Sequence, residues 1–135
     1  MKMVLDTNVF ISGVFFKGPP YQILKAWRDG NIQLLISDAI LEEYRRVGEV
    51  LANNFPKVDI GPILELLVLN TEHVSPKELL KPVCEDPDDD KFFACAIAGK
   101  SKLIISGDKH LLKVSGHKGI KVLRPRKFVD EYLGN

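Results

Sequence analysis

Cysteine is scarce in this chain, and so is every device that depends on it. Two cysteines, Cys84 and Cys95, cannot build a disulfide scaffold, and with three scattered histidines they give no zinc-ligand spacing. Both are read as reduced packing residues. Long hydrophobic runs are also missing: nothing approaches the ~20 apolar residues of a membrane helix, and the opening MKMVLD lacks the apolar stretch of a signal peptide. A cytoplasmic protein with no membrane association is expected. There is no Walker-type phosphate loop, no Gly-x-Gly-x-x-Gly and no Gly-x-Ser-x-Gly elbow, which removes support for nucleotide-switch, dehydrogenase and elbow-type hydrolase readings. Internal repeats, low-complexity tracts and linkers are absent too. A strong net charge is lacking, since 19 basic and 18 acidic residues leave +1. What remains is 135 residues with 45% hydrophobic content, enough for one well-buried core and hence a single domain over residues 1–135.

The near-zero net charge hides an asymmetry. Between Lys100 and Lys127 stand nine lysines and arginines against one acid, Asp108. Such a run serves equally as a solvated face or as a surface for a polyanion.

Apolar runs alternate between short and long. Lys2 to Leu5 reads as a strand ending at Asp6, and Gly18-Pro19-Pro20 opens an amphipathic helix that Gly30 closes. Ile32 to Ile36 is a second strand. Ser37 is placed to cap a helix from Asp38 to about Ala52, with Ile40, Tyr44, Val47 and Leu51 as its buried stripe. Ile60 to Leu69 is a helix apolar nearly all round, which predicts packing on two sides. Glu72 to Val74 is a weak third strand, Asp86-Pro87 begins a helix through Ala98, Leu103 to Ser106 and Ile120 to Leu123 are further strands, and Arg124-Pro125 leads into a short closing helix. Strands alternating with helices argue for an α/β fold with a parallel sheet and right-handed crossovers. Ligands in such sheets bind beyond the carboxyl ends of the strands, where strand order reverses. Asp6 closes the first strand and Asp108 follows the fourth, so both enter one cleft if those strands are neighbours.

The acids are the residues with chemistry to offer. Asp6-Thr7-Asn8 sets an acid, a hydroxyl and an amide directly after a strand, although aspartate and asparagine are also ordinary turn residues. Successive helical residues are ~100° apart, which sends Glu42 to solvent and Glu43 to the edge of the buried stripe. Glu85-Asp86-Pro87-Asp88-Asp89-Asp90 is the densest acidic patch, and the helix macrodipole accounts for only part of it. The rest repels itself unless a cation gathers it. The helical wheel does not choose between Asp89 and Asp90. Ser106-Gly107-Asp108-Lys109 adds a hydroxyl and an acid after a buried strand. Magnesium prefers oxygen donors in octahedral geometry at ~2.0–2.1 Å, so carboxylates from separate elements suit it.

In order, VLDTNVFIS, SDAILEEYRRV and CEDPDDDKFFACAIAGKSKLIISGDKHLL resemble the PIN-domain family over almost the whole chain, most closely the prokaryotic branch described as toxins of toxin-antitoxin systems. The resemblance implies a three-layer α/β/α fold with a parallel five-stranded sheet, and an acidic Mg²⁺ or Mn²⁺ site that cleaves RNA. Residue by residue, it assigns catalysis and metal binding to Asp6, Glu43, Asp90 and Asp108, with Thr7, Asn8 and Ser106 as supporting polar groups. His110 stands where many relatives carry a further aspartate, and is read as a surface residue.

The expectation is therefore a metal-dependent endoribonuclease in which Asp6, Asp90 and Asp108 bind metal and Glu43 holds a second ion or positions water. Lys109, Lys113 and Lys118 would carry the RNA backbone. A homodimer through the apolar helix 60–69 and an antitoxin protein are the expected partners. The rival readings are a non-catalytic RNA or protein binding module and a magnesium-dependent phosphatase. For the phosphatase, Asp6-Thr7-Asn8 lacks the second acid two positions on.

Overall fold

A computed structural model describes residues 1–79 and 81–134. Five parallel strands form one sheet: β1 (Lys2–Leu5), β2 (Gln33–Ile36), β3 (Glu72–His73), β4 (Leu103–Ile105) and β5 (Lys121–Leu123), in the order β3-β2-β1-β4-β5. Seven helices accompany them among the described residues: α1 (Thr7–Phe15), α2 (Pro19–Arg28), α3 (Asp38–Ala52), α4 (Gly61–Asn70), α5 (Asp90–Ala98), α6 (Lys109–Lys113) and α7 (Pro125–Tyr132). The chain runs outward from β1 through β2 to β3, then crosses back to β4 and β5. Right-handed crossovers in opposite directions put helices on both faces, which is the expected three-layer α/β/α arrangement. Strand order reverses between β1 and β4. No helix among the described residues is long and apolar enough to cross a membrane.

Apart from β3, whose Glu72 and His73 are exposed, the strands are short runs whose apolar residues are buried. Met3, Val4, Leu5, Leu35, Ile104 and Ile105 are wholly enclosed. Phe92, Phe93, Cys95 and Ala96 of α5 enter the same core, and α5 lies against β1, β2 and β4. Both cysteines are free and buried, and burial pushes each thiol up to about 12, so they pack as neutral thiols.

Helix α1 is the element the sequence concealed. Its TNVFISGVF is rich in β-branched and aromatic residues, which favour strands, but Asp6 caps its start and Gly13 lets α2 approach. A Cβ on Gly13 would lie 2.6 Å from Leu24 Cδ1 and 2.8 Å from the Pro20 carbonyl oxygen. Helix α6 also carried no expectation, being a single capped turn of five residues. The expected helix from Asp86 begins instead as a 3-10 turn, Pro87–Asp89, that passes into α5.

Helix α4, apolar nearly all round, packs on its own fold along one of the two sides expected. Ile63 and Leu67 are buried, yet Leu66, Val68 and Leu69 are exposed, Leu69 at 79%. The helix packs on one side and presents apolar side chains to solvent on the other.

Helix α3 is fixed to the carboxyl end of β1 by Tyr44, whose ring stacks on Phe10 at 4.3 Å between centroids and whose hydroxyl donates to the Leu5 carbonyl at 2.5 Å. Tyr44→Phe keeps the stack and removes that buried donor. An expected loss of about 1–3 kcal/mol, read as a lower urea midpoint at unchanged slope, follows from leaving a buried carbonyl one partner short.

Candidate active site

Because β1 and β4 pair at Val4 with Ile104 and Leu5 with Ile105, the residues that leave these strands emerge side by side. The Asp6 amide donates to the Ile105 carbonyl at 3.0 Å, which extends the ladder to the edge of the cleft. Asp6 is only 6% exposed. Its Oδ2 accepts a 2.6 Å hydrogen bond from the Ser106 hydroxyl, and that same Ser106 Oγ accepts from the Asp108 amide at 2.9 Å. One serine thus ties both acids to the switch point. Asp108 in turn caps α6, its Oδ1 accepting from the His110 amide at 2.7 Å.

Glu43 reaches the cleft from α3. Thr7, directly after Asp6, donates its hydroxyl to Glu43 Oε2, and Lys91 Nζ stands 2.6 Å from Oε1. The supporting role expected of Asn8 falls to its backbone, which donates to Asp6 Oδ1 at 3.4 Å while the residue itself is exposed.

Asp90 is placed differently from the other expected ligands. Its Oδ1 accepts from the Cys84 amide at 2.7 Å and the Val83 amide at 3.2 Å, and its Oδ2 is 3.3 Å from the same Val83 amide. That carboxylate pins the loop before the acidic run. Asp89, one residue earlier, carries the charge that meets the cleft. Burial first, then the charges of Asp108, Asp86, Asp6 and Asp88, push its carboxyl up to about 6. Asp6 is also pushed up by burial. The Ser106 hydroxyl and Asn8 amide draw it back, and Asp108 and Glu43 push it up again. The charges of Asp108 and Glu43 thus act on Asp6, and those of Asp108 and Asp6 on Asp89, whereas Asp90 is held by backbone amides.

The basic residues divide as well. Lys109 follows Asp108 at the cleft, exposed. Lys113 Nζ and His110 Nδ1 each lie 3.0 Å from Glu85, so His110 is a surface residue facing an acid and Lys113 is partly neutralised. Lys118 precedes β5 and sits at the opposite, amino-terminal edge of the sheet. It lines a cavity of about 720 Å³ with Lys77, Lys81 and His117, and the backbone assignment expected for it does not fit that position. Two arginines that no sequence motif singles out also reach the site: Arg124, whose Nη1 lies 3.4 Å from the Gly107 carbonyl, and Arg46, 3.8 Å from Glu43. So does Lys91. Only the string Asp88-Asp89-Asp90-Lys91 held a signal for it, a lysine one turn after an acid.

As the side chains stand, no three carboxylate, imidazole or thiol groups among the described residues converge to hold a metal ion. The donor set nonetheless suits a hard divalent cation. Among the described hydrogen bonds, Asp89 accepts none, Asp108 uses only Oδ1, and Asp6 Oδ1 accepts only the long Asn8 contact. Carboxylates that repel one another and keep unclaimed oxygens are the kind of donor that a hard divalent cation prefers.

Two similarities bear on the family of this chain. A family model described as a PIN domain matches residues 2–110. An uncharacterized protein of Methanocaldococcus jannaschii is 30% identical over 146 aligned positions, which cover 98% of this chain and 92% of that protein. The family match includes every acid of the cleft, from Asp6 to Asp108.

An acid whose folded pKa is raised favours the folded state only while protonated. For Asp89 that contribution is complete below the ordinary value of 3.8 and is lost as pH rises through about 6. In chelator, Asp89→Asn is expected to raise the Tm at pH 7 and to lie closer to wild type at pH 5. Scanning calorimetry at the two pH values checks it, and a lower Tm for the variant at pH 7 would contradict the crowding.

Proposed function

The chain belongs to the PIN-domain family, whose members are generally nucleases that use divalent metals, and from that premise we propose that it is an endoribonuclease dependent on Mg²⁺ or Mn²⁺. The observation that carries the reading is the set of unclaimed carboxylate oxygens on Asp6, Asp89 and Asp108 at the reversal of strand order. These three residues would hold the ion. Bound there, it would polarise a phosphoryl oxygen of the substrate and supply a hydroxide-like water near neutral pH. Ser106 fixes the orientation of Asp6 and, through the Asp108 amide, the start of the loop that carries the third acid. Arg124 and Lys109 flank the acids on the solvent side and supply positive charge for the phosphodiester backbone. Asp90 acts at one remove, by holding the 83–84 backbone that leads into Asp89.

This division yields a test with separate readouts. With purified protein, single-stranded RNA and magnesium, Asp6→Asn and Asp89→Asn are expected to lower the cleavage rate by about 100-fold or more, since even outer partners of metal ligands are worth about 10–100-fold. Asp90→Asn is expected to lower the Tm, because it weakens three backbone contacts. If Asp89→Asn cuts as fast as wild type while Asp90→Asn is inactive at unchanged Tm, the ligand set is wrong.

A second proposal concerns association. The exposed Leu66, Val68 and Leu69 on α4 fit a homodimer made through that helix. Sedimentation at micromolar concentration should show a dimer that Leu69→Glu returns to monomer. A monomeric wild type removes the proposal. The resemblance to the toxin branch extends the functional reading to a toxin with a cognate antitoxin. On that reading, induced expression arrests growth and Asp6→Asn does not.

A further inference from the structure

Glu43 differs from the three aspartates of the cleft in having both oxygens claimed. Oε2 accepts the Thr7 hydroxyl. Oε1 faces Lys91 Nζ at 2.6 Å and Arg46 at 3.8 Å. Lys91 is no passing surface lysine: its side chain is 16% exposed against 13% for Glu43, and Asp88 Oδ1 holds the same ammonium at 3.1 Å. Two carboxylates from different helices thus enclose one fixed positive charge at the edge of the acidic cleft. A divalent ion binds a carboxylate oxygen at ~2.0–2.1 Å and surrounds itself with further oxygens. On Glu43 Oε1 it would have to share that oxygen with an ammonium, and two cations at such range repel strongly where water is scarce.

Resting on the three-aspartate reading above, we propose that the Lys91 ammonium occupies the place of a second divalent ion, so that the cleft takes one ion and Glu43 is a positioning residue rather than a ligand. Glu43 then holds Thr7 on one side and Lys91 on the other, keeping the start of α1 and the start of α5 in register beside Asp6. An ammonium has three donors, and Glu43 and Asp88 use two, which leaves one for a phosphate oxygen of the substrate. Of the two roles expected for Glu43, holding a second ion or positioning water, the proposal replaces the first.

Counting bound Mn²⁺ by the loss of its free-ion electron paramagnetic resonance signal tests this without any activity measurement. Wild type is expected to bind one ion, Lys91→Met two, and Lys91→Arg one, since arginine restores the charge. Glu43→Gln in the otherwise wild-type chain is expected to leave the count at one, and this variant decides the matter if Lys91→Met does not fold. Two ions in wild type, a count that falls on Glu43→Gln, or a folded Lys91→Met that binds no more than wild type overturns the proposal. If wild type binds none and Lys91→Met binds one, the three-aspartate reading fails while the role of Lys91 stands.

Discussion

A carboxylate removed from water destabilises the fold unless something returns the solvation it has lost, and this constraint orders the whole carboxyl edge of the sheet. The protein meets it by a different means at each acid. Asp6 has the Ser106 hydroxyl and the amide of its own helix start, Glu43 has a hydroxyl and an ammonium, Asp90 has two backbone amides, and Asp108 caps a helix. Asp89 alone among them accepts no described hydrogen bond, and its proton is correspondingly hard to remove. Five acids could all have been satisfied internally. Leaving one unsatisfied beside two others with spare oxygens transfers the missing compensation to something outside the chain. A structure optimised only for stability would not do so, and departures of this kind concentrate at functional sites.

The topology makes that arrangement reproducible from very short strands. β4 and β5 have three residues each, too few to define a cleft by their own rigidity. They are held because the apolar residues around them are buried and because the ladder continues past their ends, with Asp6 bonded to Ile105 and Ser106 to Leu123. Tyr44 performs the same task across the layers by tying α3 to Leu5. Glu43 is the residue just before Tyr44, so the contact that anchors the helix also fixes where its acid stands. Packing and site geometry are here the same interaction.

Much of this was legible in the sequence, because strands and helices announce themselves by period and by punctuation. Ser37 caps α3 as its position implies, and Pro19 and Pro125 open the helices that contain them. The acids Asp6, Glu43 and Asp108 could be named because each follows a strand or lies at the edge of a helical stripe. Asp90 rather than Asp89 came from the resemblance to the PIN-domain motif, since the helical wheel does not choose between the two. A 3-10 turn at Pro87–Asp89 changes the angular offset between neighbours, so no wheel drawn from α-helical spacing could assign those two residues. Helix α1 was hidden by composition, since its local preferences favour strand and only Gly13 against α2 and the Asp6 cap decide otherwise. Lys118 was grouped with Lys109 because they share a basic run, but strand β5 lies ahead of one and the cleft beside the other. Charge runs are linear and surfaces are not.

Adjacency in sequence and opposition in role meet most directly at Asp89 and Asp90. Two identical side chains on consecutive residues differ by a rotation of the backbone: one accepts from the amides of Val83 and Cys84, while the other accepts no described hydrogen bond and feels the charges of Asp108, Asp86 and Asp6. The first makes the loop rigid, and only a rigid loop can hold the second in a place it would otherwise leave to escape repulsion. The same logic reaches Lys91, which follows both: by pairing with Glu43 and Asp88 it reduces the repulsion around the start of α5, where Asp89 stands without a described hydrogen bond. The single lysine in the acidic run makes an anionic cleft of this density compatible with a small fold whose strands are only two to four residues long.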